Sequence, residues 1–287
     1  MLPAFIHCPT STAGLVITGL QCLNLGAAFN EMQSPTPYSK FAQNVEGSTI
    51  PSQQGMLLIY VPATLTSLAF LTKSAVVPML NGRELIVATL LAVHFAKRVA
   101  EVLYVHDYSG QCSKPTATFI GVFYALISLL ILVQQSAVPA SIYAGCGPLM
   151  AAGLAAFAVG EAGNLYHHAL LASMRKTSPA TATDVPPTPA SSEALGATRS
   201  QATVAPSKAY VMPSGGLFDL VTMPHYTFEI VAWIGIALVC QQLNAFLAAA
   251  GMASYLAGRS VATTAWYRER FGDKWPSARR HLVPFIF

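Results

Sequence analysis

"HFAKRVAEVLYVHDYS", residues 94–109, closes an apolar run that begins near Leu85, and it carries His94, Lys97, Arg98 and Glu101. Offsets of three, four and seven put these four residues on one face of an α-helix. A surface helix would turn such a face to water. Here the flanking segments of the chain are also strongly apolar, so the stripe requires a polar partner inside a membrane-like bundle.

Composition supports that setting. Of 287 residues, 53% are hydrophobic and 10% charged, with mean hydropathy +0.49, whereas a soluble domain carries roughly 25% charged residues. A spanning helix needs about 20 mostly apolar residues. Such windows lie near 11–29, 55–72, 84–105, 117–135, 146–172 and 226–249, with a weaker one at about 250–267. These continuous runs lack the alternation of membrane β-strands. The fold class is all-α: a polytopic membrane protein built as a bundle of seven transmembrane helices, residues 1–287 forming a single domain.

With seven spans, Lys40, Lys114, Arg175, Lys176, Arg199, Lys208, Arg268, Arg270, Lys274, Arg279 and Arg280 fall on one side and only Lys73 and Arg83 on the other. The basic side is cytosolic by the positive-inside rule, which makes the N-terminus lumenal and the C-terminus cytosolic. Topology accounts for the net charge of +4 and pI near 8.8, so no nucleic-acid partner is inferred. The 5 cysteines contain no CxxC pair, which points to neither a disulfide framework nor a zinc site. The first apolar run lacks a basic n-region and reads as a span, not a cleavable signal. Residues 177–208, rich in Pro, Ala, Ser and Thr, cannot bury enough surface to offset ordering and read as a disordered cytosolic insertion.

Polar groups recur within the spans. "GEAGNLYHHALLASMRK" aligns Glu161, Asn164, His168 and Arg175 on one helical face. "PHYTFEI" places His225 and Glu229 one turn apart beside Tyr226, and "GRSVATTAWYRERF" stacks Arg259, Thr263 and Tyr267 in successive turns. Charges in a bilayer cost about 2.5–3.5 kcal/mol each on insertion scales and therefore face one another or a wet cavity. A cleft open to the cytosol fits: arginine forks suit phosphates, while Glu161, Asn164 and Glu229 suit ribose hydroxyls or an amide. No GxGxxG follows a strand, HExxH and GxSxG are absent, and adjacent His167 and His168 point to different helix faces, so a Rossmann domain, a metal centre and a serine nucleophile are not indicated. Lys97 and Glu101 also have the spacing of an intrahelical ion pair.

These segments resemble the steroid 5α-reductase and very-long-chain enoyl-CoA reductase family. The C-terminal "GRSVATTAWYRERFGDKWPSARRHLVPFIF" is similar to the family ending, with an arginine, a tyrosine eight residues later and a terminal "PFIF". His94, Lys97, Arg98, Glu101, Leu103, Val105, His106 and Ser109 match the "H-x-x-K-R-x-x-E-x-L-x-V-H-x-F-S" of the enoyl-CoA reductases, with Tyr108 for the Phe. "YSKF" at Tyr38 to Phe41 and "GMLLIYVPA" look most like plant-type members. The family signature covers about residues 85–287.

The resemblance implies an oxidoreductase of the endoplasmic reticulum that uses NADPH to saturate a carbonyl-conjugated C=C bond of a lipid, a fatty enoyl thioester or a steroid-like enone. It assigns Arg98, Asn164, His168, Arg175, His225, Glu229, Arg259, Tyr267 and Arg279 to the cofactor. Tyr226 stands at the tyrosine of "P-N-Y" as a proton donor. Tyr60 occupies the position of the glutamate with which steroid reductases grip the substrate ketone, and Phe95 that of their third-span tyrosine. Two competing readings are a helical methyltransferase using S-adenosylmethionine and a non-enzymatic transporter or receptor. A reductase predicts polar groups confined to the cytosolic half of the bundle, and a transporter predicts a polar path to both faces.

Overall fold

The computed structural model describes residues 5–38, 41, 47–76, 82–177 and 211–287. The chain is mostly helical. An N-terminal pair, α1 (Thr12–Leu23) and α2 (Ala27–Gln33), is joined by a 3₁₀ turn. There follow α3 (Ser52–Val76), α4 (Gly82–Ala100), α5 (Lys114–Gln135), the single turn α6 (Ala140–Tyr143), α7 (Gly147–Thr177), α8 (Pro224–Cys240) and α9 (Leu243–Phe271). The insertion expected at 177–208 lies, beyond Thr177, outside the described residues.

By length and composition, four helical stretches among the described residues suffice to cross a membrane: Thr12–Gln33, Ser52–Thr72, Lys114–Gln135 and Gly147–Lys176. Helices α4, α8 and α9 coincide with the other expected spans but fall short of those criteria. The first and last carry the ionic side chains that drew attention in the sequence, and α8 has only 17 residues.

The expected boundary between the last two spans is displaced. The helix ends at Cys240, nine residues before the expected 249, and restarts at Leu243. The apolar run continues across the break and hides it, while two buried glutamines make it. Gln241 adopts the left-handed conformation at φ 52°. The backbone groups freed there are satisfied by the N-terminal segment: His7 N–H donates to Gln241 O at 2.8 Å and Leu243 N–H to His7 O at 2.9 Å. Gln242 Nε2 donates to Ile131 O at 3.0 Å and to Gln135 Oε1 at 2.7 Å. Irregular backbone in a membrane protein persists only where such partners exist.

A two-stranded antiparallel ribbon, β1 (Thr49–Pro51) against β2 (Gln111–Ser113), pairs Ile50 with Cys112. Three residues are too few to show alternation in a sequence, so the all-α expectation missed it. Between α4 and β2, residues Glu101–Val105 form a π-turn in which His106 N–H donates to Glu101 O at 2.9 Å.

Close backbone approach sets the helices that carry the polar faces. A Cβ on Gly160 of α7 would lie 2.4 Å from Ala232 N of α8, and one on Gly258 of α9 would lie 2.5 Å from Ala28 O of α2. Small residues let membrane helices pack at this range. The first contact brings Asn164 to Glu229, and the second brings Arg259 to Glu31.

Candidate functional site

The stripe of α4 finds its partners on α7 and α8. His94, 1% exposed, directs Nδ1 at Glu161 Oε1 (2.6 Å) and Nε2 at Glu229 Oε1 (3.2 Å), an arrangement in which an imidazolium donates twice. Lys97 Nζ lies 3.0 Å from Glu161 Oε2 and 3.3 Å from Glu101 Oε1, and it donates to Asn164 Oδ1. Arg98 donates from Nη1 to Glu101 Oε2 at 2.5 Å and from Nη2 to the Tyr60 hydroxyl at 2.7 Å, with His168 Nδ1 2.9 Å from Nη1. Asn164 Nδ2 donates to His225 O (2.9 Å) and to Glu229 Oε2 (3.0 Å). With His94 protonated, three cations meet Glu101, Glu161 and Glu229, so the lattice is neutral as a unit. Burial of such charges is tolerated only with this degree of pairing.

The lattice satisfies much of itself, yet one side of it borders open space. A cavity of about 200 Å³ is lined by Arg98, Asn164, His168, Arg175, His225, Tyr226, Glu229, Arg259 and Tyr267. Of the residues assigned to the cofactor by resemblance, only Arg279 is missing from this wall. Arg279 Nη1 donates to Pro213 O at 2.9 Å, and its guanidinium lies 4.6 Å over Trp275, which stacks on Tyr267 at 5.0 Å. It thus supports Tyr267 from behind. Glu161 is likewise turned to His94 and Lys97, away from the space a ribose would use.

Arg259, 2% exposed, is held by a residue that the sequence reading overlooked. Its Nη1 donates to Glu31 Oε1 at 2.5 Å and to Thr36 O at 2.8 Å, and its Nη2 to Tyr38 O at 3.0 Å. Glu31 also accepts from Thr36 N–H at 3.0 Å. A carboxylate two residues past the first apolar window, at the end of the first span, was the available signal. These bonds leave Arg259 with N–H groups to spare, since a guanidinium carries five. Arg175, at the rim, lies 3.4 Å from Ser109 Oγ.

The cleft wall formed by the start of α8 is pinned by the C-terminal segment. Thr222 N–H donates to Arg280 O at 2.8 Å, Arg280 N–H to Leu220 O at 2.9 Å, and the Thr227 hydroxyl to Leu282 O at 2.5 Å. The Thr263 hydroxyl on the α9 wall is buried with no hydrogen-bond partner among the described residues. In the loop after the π-turn, His106 also lines the cleft. Burial, reinforced by the Arg98 charge, pulls its pKa down to about 4, so it is neutral at physiological pH. Glu101, His106 and His168 bring ligand-type atoms within 4.8 Å of one another. Arg98 already supplies a cation to Glu101 and His168 there, which disfavours a metal ion.

A second cavity, of about 330 Å³, adjoins the first and is predominantly apolar, with Ile59, Phe119, Phe123, Ile127, Trp233 and Leu247 in its wall. Tyr38, Met56, Tyr60, Tyr124, Met252 and Tyr255 line both spaces. Tyr60 therefore stands at the junction with Arg98 behind it. Tyr226 borders the polar cleft and is not among the residues shared by the two.

Polar groups are not confined to this end of the bundle, contrary to the sequence expectation for a reductase. At the start of α4, Arg83 Nη1 donates to Val239 O (3.0 Å) and Gln241 Oε1 (2.5 Å), with its guanidinium 3.9 Å over the Tyr143 ring. No residue of this second group lines either cavity.

The model of the family described as 3-oxo-5-alpha-steroid 4-dehydrogenase matches residues 197–287. The very-long-chain enoyl-CoA reductase of Dictyostelium discoideum is 39% identical over 75 residues, 26% of this chain and 25% of that protein. The steroid 5-alpha-reductase DET2 of Gossypium hirsutum is 38% identical over 78 residues, 27% of this chain and 30% of that protein. In both, the matched segment spans well under half of the relative's length. Similarity to the 3-oxo-5-alpha-steroid 4-dehydrogenase 1 of Mus musculus is lower but runs throughout: 23% identity over 291 residues, 100% of this chain and 97% of the relative.

Proposed function

The chain belongs to the family of steroid 5-alpha-reductases and very-long-chain enoyl-CoA reductases, and from that premise we propose that it is an NADPH-dependent membrane reductase that saturates a carbonyl-conjugated C=C bond of a lipid. One observation carries the reading: a polar cleft rich in guanidinium groups adjoins an apolar cavity across a shared wall of tyrosines. The first suits a phosphorylated dinucleotide and the second a lipid, and their junction is where a hydride donor and an acceptor would meet.

The residues present fit that cofactor. Arg98, Arg175 and Arg259 supply charge for phosphates. Asn164, Glu229 and the buried Thr263 hydroxyl supply hydrogen bonds, and Tyr267, backed by Trp275 and Arg279, offers a flat aromatic face. NADPH, when bound, supplies the hydride. The chain's own part is orientation and electrostatics. Tyr60, accepting from Arg98 at 2.7 Å, keeps its own O–H to donate to the substrate carbonyl oxygen, and the cation behind it strengthens that donation as negative charge develops. His94 and Asn164 fix Glu229 from two sides, which keeps the cleft wall in one geometry. His225 and Tyr226 close the cleft beside Glu229.

In this reading seven helical segments, α1 with α2 and then α3, α4, α5, α7, α8 and α9, cross the membrane of the endoplasmic reticulum. The N-terminus is lumenal and the C-terminal segment cytosolic, and the polar cleft opens to the cytosol where NADPH is supplied. The test follows NADPH oxidation by purified protein offered trans-2-enoyl thioesters, steroid enones and saturated controls. Consumption dependent on an enone or enoyl substrate is expected. Silence with every substrate, together with binding of S-adenosylmethionine, would transfer the chain to the methyltransferase reading.

A further inference from the structure

Reduction of an activated double bond needs a proton as well as a hydride, and the junction holds a hydroxyl pair that the proposed function leaves unused. Tyr255 of α9 and Tyr38 after α2 place their phenolic oxygens 2.9 Å apart, and both side chains line the polar cleft and the apolar cavity together. Two phenols carry two hydrogens, and one is spent on the bond between them. The second hydrogen is available to a group at the junction. Arg259 stands one turn after Tyr255 on the same helix. Its guanidinium lies 3.9 Å over the Tyr38 ring and donates to the Tyr38 carbonyl at 3.0 Å. A cation in that position favours a phenolate formed by the pair.

We propose that Tyr255 is the catalytic acid that protonates the α-carbon of the substrate, with Tyr38 as the positioning residue that donates to it and replenishes its proton; this rests on the reductase reading above. Hydride addition at the β-carbon moves the π electrons toward the carbonyl oxygen. As the carbonyl re-forms, the α-carbon takes the Tyr255 proton, so that a C–H bond forms and the O–H bond breaks. The Tyr255 oxygen then takes the Tyr38 proton across the 2.9 Å bond, and Tyr38 regains one from water in the cleft that it lines. NADPH is the reductant and water the final proton source, so atoms and electrons balance. Tyr226, on the cleft wall alone, is less well placed for this step than a hydroxyl facing both cavities.

The experiment compares the full-length protein with Tyr255→Phe, Tyr38→Phe and the double variant by three readouts. These are NADPH affinity, turnover of an accepted enone, and binding of a naphthol whose absorption reports its ionisation, measured without NADPH as a mimic of the enolate. Tyr255→Phe is expected to lose about 100-fold in kcat, within the range for removal of a general acid. It should keep NADPH affinity within twofold and bind the naphtholate at least tenfold more weakly. Tyr38→Phe is expected to lose about tenfold in kcat, and the double variant no more than Tyr255→Phe alone. Turnover and naphtholate affinity both unchanged in Tyr255→Phe, with NADPH still bound, would overturn the assignment while leaving the reductase reading standing. Absence of NADPH binding by the unmodified protein would overturn the reading, and this assignment with it.

Discussion

The two ends of α4 each carry a partly buried arginine in a polar lattice, about 22 Å apart at 1.5 Å per residue, and the lattices are built from different materials. At the Arg83 end the partners are amides, a phenol ring and backbone carbonyls: Gln241, Tyr143 and Val239, with Gln135 and Gln242 completing the set. The hydrogen bonds to Val239, Cys240 and Gln241 hold the break between α8 and α9. At the Arg98 end the partners are three carboxylates, two histidines, an asparagine and the Tyr60 hydroxyl, on α3, α4, the π-turn, α7 and α8, and a cavity borders the lattice. Buried polarity alone therefore does not mark a site in this chain. What marks it is formal charge in excess of what the backbone needs, set against open space.

The contrast can be attacked where the stored electrostatic energy is greatest. Glu31→Ala leaves Arg259 buried without its carboxylate and is expected to cost about 3–5 kcal/mol of stability, read as a loss in thermal midpoint in detergent. Glu31→Gln combined with Arg259→Gln should recover at least half of that loss. A single variant as stable as the parent would mean that this pair is solvated. Next in size, Asn164→Leu removes the bonds to Glu229 and the His225 carbonyl and is expected to weaken NADPH binding at least tenfold by direct titration. An unchanged affinity would detach the α7–α8 contact from the site.

At the other end, Gln242→Leu is expected to cost about 1 kcal/mol with NADPH affinity unchanged; a matching loss of affinity would erase the distinction between the two lattices. The smallest effect concerns pH. His106 is held at about 4 by burial and by Arg98, below the ordinary 6.5 of histidine, so between those values the unfolded chain binds the extra proton. Stability contributed by this site is complete above about pH 6.5 and falls as pH drops toward 4. His106→Gln should flatten that part of the stability profile, and an identical profile would show that the imidazole is not buried against Arg98.

Spacing made the polar faces of α4 and α7 legible, because 3.6-residue periodicity operates within one helix: His94, Lys97, Arg98 and Glu101, then Glu161, Asn164, His168 and Arg175. Which members face each other and which face the cavity depends on helix packing, set by contacts such as Gly160 on Ala232. That is why Glu161 could be read as a ribose ligand when it is a counter-ion for His94 and Lys97. Glu31 pairs with a residue 228 positions away, beyond the reach of any local pattern. The "YSKF" segment drew notice for its resemblance, yet nothing in it indicates that Tyr38 meets Tyr255. The α8–α9 break was hidden by the alanines and leucines that continue past Gln241 and Gln242, since hydropathy windows average over a two-residue interruption.

The most direct test is an equilibrium titration of the purified, unmodified protein with NADPH, run beside Asn164→Leu and Gln242→Leu. Saturable binding that falls at least tenfold in the first variant and holds in the second is the predicted result. Failure of the unmodified protein to bind NADPH, or equal losses in both variants, would contradict the assignment of the charged lattice and its cavity to a nicotinamide cofactor.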